Sequence, residues 1–206
     1  MAVRTGYLPG SRPRNQSPTL LPRDDSQLAP RPIRHERIGI VISKSMEKAV
    51  NDQINMELYS AYIYLSMSAH CEADNLPGAA KWLRQQAKEE VVHAMKFFEF
   101  LNDRGGRVVL AAIDKPPAEF GSLREIFEQA LGHERKVTHS IHKLHALATG
   151  EGDLASLPLL QWFVSEQIEE EKTAAQLAEQ LKRAGNEGAA LLFLDRQLAE
   201  RVPDSD

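Results

Sequence analysis

The chain has 206 residues, of which 29 are acidic and 25 basic, for a formal charge of −4, and it has one cysteine. That length suits one domain with a sizeable core. The acidic balance argues against nucleic acid as a partner, lone Cys71 excludes an intramolecular disulfide and fits a reducing cytoplasm, and neither a membrane span nor a secretory signal can be read in the chain, so no membrane partner is expected.

Residues 1–40 hold seven Arg against Asp24, Asp25 and Glu36, with six of the eleven prolines. Lacking a helical period, they read as a disordered Pro/Arg-rich extension, or as translated leader ahead of a natural start near Val41. Asp24, Asp25 and the density of proline spoil the amphipathic helix of a targeting segment. The rest, 41–206, reads as one domain.

Ser43 is a good N-cap for a first helix. The stripe Val50, Ile54, Leu58, Ala61, Leu65 carries it to about Cys71. Glu57 falls on that stripe, and Tyr64 lies two turns further along the same side. Asp74 to Gly78 is a turn, with Pro77 suited to the first position of a second helix. This helix runs to about Arg104 on Ala80, Leu83, Ala87, Ala94, Phe97 and Leu101, and Gly105-Gly106 stops it. Within it Glu90 and His93, three residues apart, project from nearly the same face. A carboxylate and an imidazole presented together suit a divalent transition metal. One such pair alone is more often a solvated charged face.

Residues 105–121 contain three glycines and two prolines, which opposes a helix. Two helices of about 28 residues are each ~40 Å long, and an extended segment of this length can span that distance. The loop therefore allows a third helix to start at the far end of the bundle. Ser122 and Glu125 form a capping box for it, and its stripe is Ile126, Ala130, Val137, Ile141, Leu144, Ala148, with Glu134 between Ala130 and Val137. A break at Thr149 to Asp153 precedes a fourth helix to about Ala184. Leu160, Phe163, Val164, Ala174, Leu177 and Leu181 point inward there, as do Gln167 and Glu170. A short fifth helix, Ala189 to about Glu200, carries Leu191, Leu192, Leu194 and Leu198 and should be buried against something. The fold class is all-α, a four-helix bundle with a long crossover between helices two and three and a short C-terminal helix.

Glu57, Glu90, Glu134 and Glu170 thus come one from each long helix, all at core-facing positions. Buried carboxylates close together cannot all stay ionised unless something strongly positive lies among them. Two irons would supply that charge. His139, His142 and His145 fall on the polar side of the third helix and read as surface residues. Trp82, Trp162, Phe97 and Phe98 read as core or subunit contact, and Cys71 as a small buried hydrophobe. No position singles out Met46, Met56, Met67 or Met95 as a haem ligand, so haem is not expected.

From Ile42 to Arg201 the chain resembles the bacterial non-haem ferritins. The resemblance rests on Asn55-Met56-Glu57-Leu58-Tyr59-Ser60, on Glu89-Glu90-Val91-Val92-His93, on His133-Glu134, and on Gln161-Trp162-Phe163-Val164-Ser165-Glu166-Gln167 followed by Ile168-Glu169-Glu170-Glu171-Lys172. It implies a ferritin-like fold and a ferroxidase centre, with Glu57, Glu90 and His93 on a first iron. Glu90 would bridge to a second iron held by Glu134 and, more loosely, Glu170. Gln167 would lie close to where oxygen binds, and Tyr64 matches a tyrosine near the centre thought to supply an electron. Glu89, Glu166 and Glu169 match a third iron position that shares Glu170. Thr173, three residues after Glu170, departs from the second Glu-x-x-His of bacterioferritins and rubrerythrins, so oxygen ligands alone would hold the second iron. The resemblance further implies Fe(II) and O2 or H2O2 as reactants and a homo-oligomeric 24-subunit shell, with helix five at its four-fold axes. A stand-alone di-iron oxidase or peroxidase, and a structural cage or cargo subunit with little activity, are the alternatives.

Overall fold

The computed structural model describes Ala2, residues 41–185 and residues 187–201. Apart from Ala2, the expectations for residues 1–40 therefore fall outside the described residues. Five helices make up the regular structure among those described: α1 (Lys44–Ala73), α2 (Pro77–Asp103), α3 (Leu123–Glu151), α4 (Leu157–Ala184) and α5 (Gly188–Ala199). α1 packs on α2 and α3, α3 on α4, and α5 on α2 and α4.

Local chemistry sets the helix ends. Ser43 accepts the Met46 N–H at 3.0 Å, and Ser122 with Glu125 makes both halves of a capping box. The stretch before Ser122 is pinned along α1 at successive levels. Asn51 donates to the Arg107 carbonyl at 3.0 Å and accepts from Val109 N at 2.7 Å, Ser66 donates to the Pro117 carbonyl at 2.5 Å, and a His70 ring nitrogen lies 2.9 Å from the Gly121 carbonyl. The crossover thus travels along most of α1 and delivers α3 to the far end of the bundle.

Two details differ from the sequence expectation. α3 continues past Thr149 to Glu151, because Gly152 adopts a left-handed φ of 67° and, with Asp153, satisfies the last carbonyls. On α1, Leu65 is 47% exposed while Tyr64 is buried. At about 100° per residue, Leu65 stands roughly 60° round from Val50, whereas Glu57 and Tyr64 lie on the other side of it by about 20° and 40°. The inward stripe is therefore centred on Glu57 and Tyr64.

α2 has no capping side chain of its own at Leu76. Buried Asp195 of α5 takes that role, accepting the Ala79 N–H at 2.8 Å and adding negative charge at the helix N-terminus. Gly78 permits the approach, since a Cβ there would lie 1.8 Å from the Asp195 carbonyl oxygen. Asp195→Ala is expected to cost about 1–3 kcal/mol by leaving a buried N–H unpaired. Gly78→Ala is expected to displace α5. Denaturant titration of both variants checks this, and wild-type midpoints would refute it. α5 buries Leu198 and packs Leu191 and Leu194 on the core, while Leu192 and Phe193 stay exposed.

The apolar interior comes in two clusters. One contains Tyr64, Met67, Leu83, Phe127 and Leu181; the other contains Met46, Ile54, Phe97, Ile141 and Phe163. Along every long helix a buried glutamate lies between the two clusters: Glu57, Glu90, Glu134 and Glu170.

Candidate metal centre

All four glutamates of that layer are buried, together with His93 and Gln167. Each comes from the inward stripe of a different long helix, so the bundle's own periodicity brings them to one level. Glu57, Glu90 and His93 offer ligand atoms within 4.8 Å of one another, as do His93, Glu166 and Glu170. His93 Nδ1 lies 3.6 Å from Glu90 Oε2, and its Nε2 lies 3.8 Å from Glu166 Oε1. The imidazole therefore faces both groups.

Glutamine amides orient three of the four carboxylates. Gln53 Nε2 donates to Glu57 Oε1 at 2.8 Å, and its own oxygen accepts from Ser140 Oγ at 2.5 Å. Gln86 Nε2 donates to Glu170 Oε1 at 2.7 Å. Gln167 Nε2 contacts Glu134 Oε2 at 3.3 Å and Thr138 Oγ1 at 3.2 Å. The Tyr64 hydroxyl donates to Glu134 Oε1, so Glu134 joins neither three-residue group but is held from both sides.

Electrostatically the layer is strained. Burial, reinforced by the Glu90 carboxylate, pushes Glu57 up to about 8. Burial likewise pushes Glu134 and Glu170 up to about 7 and raises Glu90 well above the carboxylate range, with Glu134 and Glu170 adding to it. The Tyr64 hydroxyl is pushed up by burial and by the Glu134 charge. Two buried carboxylate oxygens, Glu57 Oε2 and Glu89 Oε1, have no hydrogen-bond partner. A cation answers both features at once, because it accepts the orphaned oxygen and cancels the mutual repulsion. The donor set, several carboxylate oxygens and one imidazole, suits a first-row divalent ion such as Fe(II).

The remaining expected residues are placed differently. Glu166 is half-buried beside His93, Glu169 is exposed, and Glu89 is paired with Arg201 at 2.6 Å. Buried His133 approaches Ser60 Oγ at 2.7 Å, and desolvation pulls it down to about 4, so it is neutral. Gln53, Gln86, Thr138 and Ser140 are additions to the sequence reading. Gln53 and Gln86 had a signal: each stands four residues before a core glutamate on the same stripe, polar where an apolar side chain is the rule.

A family model, the ferritin-like domain, matches residues 47–184. A bacterial non-heme ferritin of Staphylococcus saprophyticus is 37% identical over 164 residues, 80% of this chain and 98% of that protein. A probable bacterial non-heme ferritin-like protein of Haemophilus influenzae is 38% identical over 158 residues, 77% of this chain and 96% of that one. Among solved structures, an open-pore ferritin of the archaeon Archaeoglobus fulgidus superposes with a TM-score of 0.77 at 46% identity, covering 78% of this chain and 98% of that one.

Proposed function

The chain belongs to the ferritin-like family, and from that membership we propose that it stores iron, oxidising Fe(II) at the buried carboxylate layer. The observation that carries this reading is the pairing of crowded, desolvated carboxylates with the orphaned Glu57 Oε2. In this reading Glu57, Glu90 and His93 receive one Fe(II). Glu90, Glu134 and Glu170 receive a second, with Gln167 and Tyr64 fixing the Glu134 carboxylate. Each Fe(II) gives up one electron to O2 or peroxide, and the carboxylates offset the added positive charge of Fe(III). Glu166, with Glu170 and His93 beside it, offers Fe(III) an outward step toward a mineral cavity. Glu89 and Glu169 complete the acidic surroundings of that step.

The cavity requires assembly. Apolar Tyr62, Leu65, Val91 and Met95 on α1 and α2, and Leu192 and Phe193 on α5, are exposed in the isolated chain, and such surface is usually covered by a partner copy. Native mass spectrometry beside an aerobic Fe(II) oxidation assay tests the reading. A particle near 24 times the 23.0 kDa chain that oxidises and retains iron is expected. A dimer that oxidises Fe(II) and retains none would make the protein an oxidase without storage.

A further inference from the structure

Arg201 follows α5 and reaches back along α2. Its guanidinium lies over the Trp82 ring, 4.4 Å from the centroid. Nη1 donates to Gln86 Oε1 at 2.8 Å and Nη2 to Glu89 Oε2 at 2.6 Å. Trp82, Gln86 and Glu89 are spaced four and three residues apart, so they form one stripe of α2 leading to Glu90 and His93. The ion pair is largely shielded, with 17% and 18% of the two side chains exposed.

Two consequences follow from the donor pattern. Gln86 accepts from Arg201 through its oxygen, so its nitrogen must point at Glu170 Oε1; a flipped amide would set two donors face to face. Glu89, meanwhile, has one oxygen on Arg201 and its other, buried oxygen unpartnered. A fixed positive charge is thus bonded to Glu89 and, through the Gln86 amide, linked to Glu170 of the group formed by His93, Glu166 and Glu170.

We propose that Arg201 is a positioning residue that withholds Glu89 from cation binding and keeps the outer, Glu166–Glu170 position weak, so that an ion arriving there moves on. The inference rests on the metal-binding reading above. Zn(II), which does not change oxidation state, is the probe, titrated into the iron-free full-length protein by equilibrium dialysis. Wild type is expected to hold two ions tightly and one more weakly. Arg201→Gln should tighten the weak class by about tenfold, the order expected when one unit charge leaves a half-buried site. Arg201→Lys, which keeps the charge, should stay near wild type, and in a Glu89→Gln background Arg201→Gln should change nothing. A weak class that is unmoved or weakened by Arg201→Gln would overturn the proposal, as would a shift that persists without the Glu89 carboxylate, which a merely structural role would produce. Tight zinc binding that survives Glu90→Ala/His93→Ala would overturn the reading beneath the clamp, and the clamp with it.

Discussion

Replacing Glu90 and His93 together with alanine is expected to slow aerobic Fe(II) oxidation by about a hundredfold or more. Both residues belong to the group around Glu57, and Glu90 also faces Glu134 and Glu170. In the proposed centre, removing it deletes the carboxylate assigned to both irons, and removing His93 deletes the imidazole that faces both Glu90 and Glu166. Disturbing even supporting groups around a metal commonly costs 10–100-fold in affinity or activity, so loss of two direct donors should cost at least that. The fold should survive, because the double variant also removes a buried carboxylate pressed against three others. Stopped-flow oxidation at matched protein and iron, with helicity as the control, decides it. A rate within threefold of wild type would move the chemistry elsewhere in the molecule.

The second large effect concerns stability without iron. Burial raises Glu57 to about 8 and Glu134 and Glu170 to about 7, from an ordinary 4.5. Between roughly pH 5 and 8 the folded chain therefore holds protons that the unfolded chain has released. Unfolding then sheds protons, and stability falls as pH rises through this window. That is the reverse of ordinary acid denaturation, which loses stability as pH falls. Iron-free protein should show a Tm that declines steadily from pH 5 to 8. Zn(II) at about 100 times its Kd should add about 2.7 kcal/mol per site at pH 8, roughly 5–10 °C in Tm for a chain of this size. Near pH 5 the carboxyls keep their protons and the added metal should have little effect. Calorimetry across the window checks this, and a Tm that rises with pH in the metal-free protein would contradict it.

Periodicity made the frame of the bundle legible. The stripes of α2 and α3, from Ala80 to Leu101 and from Ile126 to Ala148, are buried as the spacing implies, and the Ser122–Glu125 box starts α3. The four core glutamates were visible because each interrupts such a stripe. Contacts between distant segments were not visible in this way. Nothing local to Asp195 announces that it caps α2, and nothing local to Arg201 announces that it reaches Gln86 and Glu89. The amide partners Gln53 and Gln86 escaped because a helical stripe says which side chains face inward but not what they meet there. Leu65 departs for a simpler reason: from Val50 its stripe takes three steps of four and one of three, which average more than a helical turn of about 3.6 residues, so the stripe drifts round the cylinder.

Two apolar clusters lie on either side of the glutamate layer, and their division has a mechanical meaning. The helices are gripped twice, once near each end, with a charged waist between the grips. A packing lesion in one grip, such as Phe127→Ala, and another in the far grip, such as Phe163→Ala, share no contacts, so their penalties should simply add. Between the grips the layer is tied through side chains, Gln53 to Glu57, Gln86 to Glu170 and Tyr64 to Glu134, so a lesion there should leave both grips packed.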